Sequence, residues 1–206
     1  MKTPTILLHH NDLPAGVTFS GAVAVDSEAM GLNPHRDRLC VVQLSGGDGV
    51  CHLVKFAKGV SQAPNLKRLM EDPGVVKIFH YARFDIMLLK NALGIHVAPI
   101  FCTKIASKLA RTYTDQHSYK SVCRELAGVE ISKEQQSSDW GADTLSEDQL
   151  IYAATDVLYL HEVREKLMQM LEREGRLGLA QQCFDFLPAR AVLDLEGWPE
   201  QDIFAH

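Results

Sequence analysis

The residues best able to do chemistry in this chain are carboxylates placed in pairs along apolar segments. Asp26 and Glu28 close the run Val23-Ala24-Val25-Asp26-Ser27-Glu28. On a strand, residues i and i+2 point to one face, so both carboxylates aim the same way. Two such groups repel each other unless a cation lies between them, and hard divalent cations prefer oxygen ligands. An exposed acidic strand end carries the same two residues, so the pair alone does not decide. Asp85 follows the apolar run Val75–Phe79, in the first turn of an expected helix. There a carboxylate also gains simply from the helix dipole. Tyr152 and Asp156 are four apart on a later expected helix and share a face. A tyrosine at the core edge beside a solvated aspartate is the plain alternative.

These side chains need elements to hold them. Val17 to Val25 reads as a strand ending at Asp26, and Leu39–Leu44 and Gly49–Val54 read as two more. Ser45-Gly46-Gly47-Asp48-Gly49 between them is a hairpin turn signal. Pro64 to Glu71 suits a short helix stopped before Pro73-Gly74, and Val75–Phe79 a buried strand. Phe84, Met87, Leu88 and Leu93 then recur at helical spacing. From Thr103 the pattern is helical: Ser118–Ala127 makes one helix, ended by Gly128. Ser146-Glu147-Asp148-Gln149 caps a long one running to about Glu172. Strands with hairpin links, then alternating strand and helix, then helices predict an α/β fold, a mixed sheet with helices packed around it. The length suits a single domain spanning residues 1–206, with residues 180–206 as an irregular tail docked on its own domain or a neighbouring subunit.

Composition narrows the function. Five scattered cysteines without C-x-x-C spacing indicate neither a zinc site nor a disulfide framework, and read as reduced thiols of a cytoplasmic protein. No apolar run approaches a membrane span, and the first dozen residues do not form a leader. The net charge of −5 is unevenly spread: residues 104–133 carry six Lys and Arg against three Asp and Glu, and residues 134–206 carry five against fifteen. A cationic track for a long duplex is therefore not expected. A short substrate, or one held mainly through metal ions, is.

Taken in order, D-x-E at Asp26 and Glu28, F-D at Asp85, and Y-x-x-x-D at Tyr152 and Asp156 resemble the DEDD exonuclease family. The tyrosine marks the subclass that includes ribonuclease D; the other subclass has a histidine five residues before the last aspartate, where this chain has Ile151. Lys133-Glu134-Gln135-Gln136-Ser137-Ser138-Asp139-Trp140, with Leu145-Ser146 and Gln149-Leu150 after it, is similar to the ribonuclease D pattern near its third motif. The resemblance covers roughly residues 20–170. It implies a ribonuclease H-like fold and a 3′→5′ exonuclease. Asp26, Glu28, Asp85 and Asp156 would hold two Mg²⁺ or Mn²⁺ ions, and Tyr152 would orient the attacking water. Two such ions about 3.5–4 Å apart can clamp the attacking and leaving oxygens of a phosphoryl displacement.

The chain lacks room for the helical C-terminal domains of ribonuclease D and is similar to the short nano-ribonuclease C group, which degrades di- and oligoribonucleotides. Met30-Gly31-Leu32-Asn33-Pro34 and the closing Gly197-Trp198-Pro199 to Phe204 carry that likeness. It implies a homo-oligomer, and a leucine wedge between two bases at Leu32, with Met30 beside it. Lys133 matches a phosphate-contacting lysine. Gln136, Ser138 and Trp140 are expected to support the site or substrate, Trp140 as a base-stacking ring or as core. Arg111 and His117 are candidates for a 5′-phosphate contact. Trimming of longer RNA, a DNA exonuclease, and a catalytically silent nucleic-acid-binding module are the rival readings.

Overall fold

The computed structural model describes residues 4–132 and 134–206. Its frame is one six-stranded mixed sheet: β1 (Thr5–His10), β2 (Gly21–Ala29), β3 (Leu39–Ser45), β4 (Val50–Lys55), β5 (Val75–Phe79) and β6 (Ile100–Cys102), in the order β1-β4-β3-β2-β5-β6. The central strand β3 runs antiparallel to its neighbours β2 and β4, and the pairings β1 with β4, β2 with β5 and β5 with β6 are parallel. The expected hairpin is the β3–β4 turn, closed by the Ser45 hydroxyl donating to the Val50 carbonyl at 2.8 Å.

Strand β3 is buried along its whole length because helices cover both faces of the sheet centre. Helix α1 (Pro64–Met70) leads into β5, and α2 (Ala82–Leu93) follows it. Beyond β6 come α3 (Thr103–Ala110), α4 (Tyr119–Leu126), α5 (Glu147–Leu158), α6 (Leu160–Arg173) and α7 (Leu177–Leu195). Helix α5 opens with a full capping box, the Ser146 hydroxyl accepting from the Gln149 amide while the Gln149 side chain accepts from the Ser146 N–H. It packs on β2, β3 and β4, which fixes where Tyr152 and Asp156 stand.

Four expectations need correction. The first long strand lies four residues later than its alternating pattern suggested, so Asp26 and Glu28 sit within β2 and not past its end. The single long helix to Glu172 is two helices broken at Tyr159. Thr5–His10, to which the pattern assigns no element, is an edge strand paired with β4. Residues 180–206 are not irregular throughout: α7 runs to Leu195 with Pro188 inside it. Ala180, Phe184, Leu187 and Ala191 recur every three or four residues and are buried, and α2 packs closely against α7. The burial of that stripe offsets the hydrogen bond that a proline removes. After it the tail folds back on the domain, with Arg83 donating to the Pro199 carbonyl at 2.6 Å.

Candidate active site

Because β2 lies between β3 and β5, its C-terminal end meets both α2 and α5. Asp26 and Glu28 leave one face of β2, and α5 brings Asp156 to them. One oxygen of each of these three carboxylates lies within 4.8 Å of the others. Asp85 arrives in the first turn of α2, just past β5, where the Ser27 hydroxyl donates to it at 2.6 Å. The chain enters α2 through Tyr81 at φ 71°, a left-handed conformation that costs a non-glycine residue about 1–3 kcal/mol. The Lys104 ammonium lies 4.0 Å from the centre of the Tyr81 ring.

These residues line one cleft of about 690 Å³. Asp26 and Glu28 are half-buried, open to the cleft but surrounded by protein, and Asp85 is buried. Burial raises the Asp26 carboxyl well above its ordinary value, and the charges of Asp85, Asp156 and Glu28 add to it. Burial, then Asp156 and Asp85, push Glu28 up to about 9. Burial pushes Asp85 to about 7 against the pull of the Ser27 hydroxyl, and Asp156 to about 7 against that of the Tyr152 hydroxyl. Tyr152 itself is raised by burial and then by Asp156, so it keeps its phenolic proton.

Four acids that disfavour one another's charge, all oxygen donors, fit divalent cations such as Mg²⁺ or Mn²⁺. Asp26, Glu28 and Asp156 could share one ion, and Asp85, adjacent to them, could help hold a second. Only two cationic side chains, Lys104 and Lys120, line the cleft among the described residues, so the charge to balance the acids is not supplied by the protein.

The other expected contacts divide. Met30, Leu32, Gln136, Ser138 and Trp140 all line the cleft. Leu32 is 83% exposed and Met30 52%, so both project from the cleft wall. Gln136 is exposed, and Ser138 accepts a 3.1 Å hydrogen bond from Gln149, which fastens the loop to α5. Trp140 is 2% exposed, its ring centre 6.0 Å from that of Tyr152, and is therefore a support beneath the tyrosine and not a stacking platform. Lys133 lies outside the described residues.

Arg111 and His117 are not in the cleft wall. The Arg111 side chain is fully buried, donating to Glu125, to the Ser107 hydroxyl at 2.8 Å and to the Gln116 carbonyl at 2.7 Å. Its charge is consumed inside the protein. His117 pairs with the same Ser107 hydroxyl at 2.9 Å. Sequence reasoning missed Tyr81, His80, Lys104, Tyr119 and Lys120 on the cleft wall. Tyr81 and His80 follow the buried strand within five residues of Asp85, and that proximity was the signal available. Burial drives the His80 ring down to about 3, so it is a neutral hydrogen-bonding group, 2.9 Å from the Thr103 hydroxyl.

A carboxylate cluster at the end of a central strand, with a tyrosine beside it, defines a divalent-metal phosphodiesterase type of site. The comparisons with known proteins sharpen this. A family model described as 3'-5' exonuclease matches residues 8–172. Ribonuclease D of Gluconacetobacter diazotrophicus is 41% identical over 155 residues, covering 75% of this chain and 39% of that protein. Two solved structures of Brucella melitensis NrnC match nearly end to end. The one bound to pGG is 55% identical with a TM-score of 0.93, covering 98% of this chain and 99% of that one. The one with bound Mg²⁺ is 54% identical with a TM-score of 0.92, at the same coverage. This chain belongs to the 3′-5′ exonuclease family and is similar to ribonuclease D within it. It spans about two fifths of the length of the ribonuclease D it matches.

Proposed function

We propose that this protein is a divalent-metal-dependent 3′→5′ exoribonuclease that hydrolyses di- and short oligoribonucleotides to nucleoside 5′-monophosphates. The observation that carries the reading is the convergence of Asp26, Glu28, Asp85, Asp156 and Tyr152 on one short cleft. Its volume, about 690 Å³, falls within the roughly 300–1,000 Å³ of small-ligand pockets, which suits a substrate of a few nucleotides. The likeness to NrnC solved with pGG supports the same substrate class.

The four carboxylates would hold the ions. Bound there, divalent cations would supply Lewis-acid stabilisation of the phosphoryl oxygens and lower the pKa of water. Tyr152 donates its hydroxyl hydrogen to Asp156, which leaves its oxygen lone pairs to accept from the attacking water and so orient it. In this reading Tyr152 positions the water and does not abstract from it. Leu32 projects from the cleft wall where it can wedge between two bases, with Met30 beside it. Gln136 and Ser138 would meet the substrate from the cleft wall, and Lys104 and Lys120 offer charge to its phosphates; a phosphate contact by Lys133 rests on the resemblance alone.

The protein acts as a homo-oligomer in this reading. Trp198, Ile203 and Phe204 lie exposed on the C-terminal segment, Phe204 at 77%, and give a second copy an apolar surface to cover. Five free cysteines suit a reducing cytoplasm. Turnover of 5′-labelled RNAs of two to seven nucleotides, with Mg²⁺, Mn²⁺ or EDTA, tests the reading. Dinucleotides should be cleaved fastest and EDTA should stop the reaction. Equal trimming of all lengths with dinucleotides accumulating would replace it with a ribonuclease D-like processor of longer RNA. Faster cleavage of matched DNA dinucleotides would remove the RNA assignment.

A further inference from the structure

Strand β3 is buried at every position; five of its seven residues are apolar, and Ser45 at its end is satisfied by donating to the Val50 carbonyl. Gln43 is the anomaly. It is fully buried at the centre of the sheet, where an apolar side chain of equal size would pack without cost to a polar group. In the antiparallel register Gln43 stands directly opposite Asp26, so the two side chains share a face. The Gln43 amide Nε2 points to Asp26 Oδ2 at 3.4 Å, and its Oε1 has no hydrogen-bond partner.

The same device recurs around the site. Ser27 donates to Asp85, Tyr152 donates to Asp156, and Gln43 donates to Asp26. Each of the three carboxylates is thus held by one side-chain donor from a neighbouring position. A donor on one oxygen restricts the rotation of a carboxylate and leaves the other oxygen free to ligate. Partners of this kind around metal ligands typically change metal affinity about 10–100-fold when removed.

We infer that Gln43 is a positioning residue that fixes the Asp26 carboxylate for divalent-metal binding, with its unpaired Oε1 left to accept from a water within the site. The inference rests on the metal-site reading given above. It assigns to a residue outside every motif a function that a purely structural glutamine would not have.

The test uses Gln43→Met, close in length and apolar, and Gln43→Leu. Mn²⁺ binding to the substrate-free full chain is measured by the loss of the free-ion electron paramagnetic resonance signal, alongside the melting temperature in EDTA. Both variants should bind Mn²⁺ about 10-fold more weakly, a difference of about 1.4 kcal/mol. Their metal-free melting temperature should be unchanged or raised, because the orphaned oxygen is gone. If the variants fold and bind Mn²⁺ as the parent does, the positioning role is overturned while the metal site stands. If the parent chain binds no Mn²⁺, both the role and the site reading fall. Should neither variant fold, the side-chain amide resonance of Gln43 in the parent decides. It should move on Mg²⁺ titration, and a resonance that stays in place overturns the inference.

Discussion

Glu28→Gln removes one of four mutually repelling acids while keeping the shape of the side chain. In the metal-free protein burial, Asp156 and Asp85 push the Glu28 carboxyl from 4.5 to about 9. A raised acid binds more protons folded than unfolded, so its contribution to stability declines as pH rises from about 4.5 to about 9. Between pH 7 and pH 9 the unfolded carboxyl is ionised and the folded one is losing its proton. At 1.36 kcal/mol per pH unit, less the part already titrated at pH 9, the parent loses about 2 kcal/mol relative to the variant over that span. Lys77 is lowered to about 8 by burial and works in the opposite sense, but it is present in both proteins and cancels. For a chain of this size about 2 kcal/mol is roughly 4–8 °C in melting temperature. Differential scanning calorimetry in EDTA should therefore show Glu28→Gln melting above the parent, with the gap widening by that amount from pH 7 to pH 9. Saturating Mg²⁺ should raise the parent and leave the variant nearly unmoved. A variant no more stable than the parent in EDTA, or a gap that does not grow with pH, refutes the account of a charge-crowded site waiting for cations.

Three other perturbations separate roles. Tyr152→Phe should slow turnover on the order of 10²-fold, the cost of a misplaced water, with Mn²⁺ affinity near that of the parent, as measured by calorimetric titration; a loss of metal binding instead would make the tyrosine a structural element of the metal site. Leu32→Ala, at a position 83% exposed, should leave the melting temperature within a degree or so and reduce kcat/KM more for dinucleotides than for heptamers, an unequal loss that the wedge role requires. Arg111→Met should cost about 1.5–3 kcal/mol in chemical denaturation through its broken contacts with Glu125 and Ser107, while the rate ratio for 5′-phosphorylated over 5′-hydroxyl dinucleotides stays unchanged. A collapse of that ratio would return Arg111 to the substrate.

The candidate catalytic set was legible because its information is local. Asp26 with Glu28 and Tyr152 with Asp156 are each fixed by the period of a single element, and the Ser146–Gln149 capping box announces the helix that carries the second pair. What was not legible depends on contacts between distant segments. The sequence marks Arg111 as cationic, but its partner Glu125 is fourteen residues on, and only the fold decides that the guanidinium is buried against that surface carboxylate and not facing phosphate. Pro188 and the aromatics near it disguised the buried stripe of α7, whose helical spacing matters more than its one missing amide. Leu7 and Leu8 of β1 are 41% and 40% exposed and only Ile6 packs on the core among its apolar residues, so that edge strand shows no alternating pattern to betray it. Gln43 carries no motif at all; its position opposite Asp26 exists only once the register of β2 and β3 is known.

The central claim is that the cleft holding Asp26, Glu28, Asp85, Tyr152 and Asp156 removes nucleotides one at a time from a 3′ end, using divalent metal. A quenched time course on a 5′-labelled RNA pentanucleotide tests it most directly, run with Mg²⁺, with EDTA, and with the Asp156→Asn variant. The account predicts labelled tetramer and then trimer appearing before labelled monomer, with dimer cleaved too fast to accumulate, the product being a 5′-monophosphate. It predicts no cleavage in EDTA or with the variant. Labelled monomer released at the earliest times without the intermediate ladder, or cleavage persisting in EDTA, would contradict it.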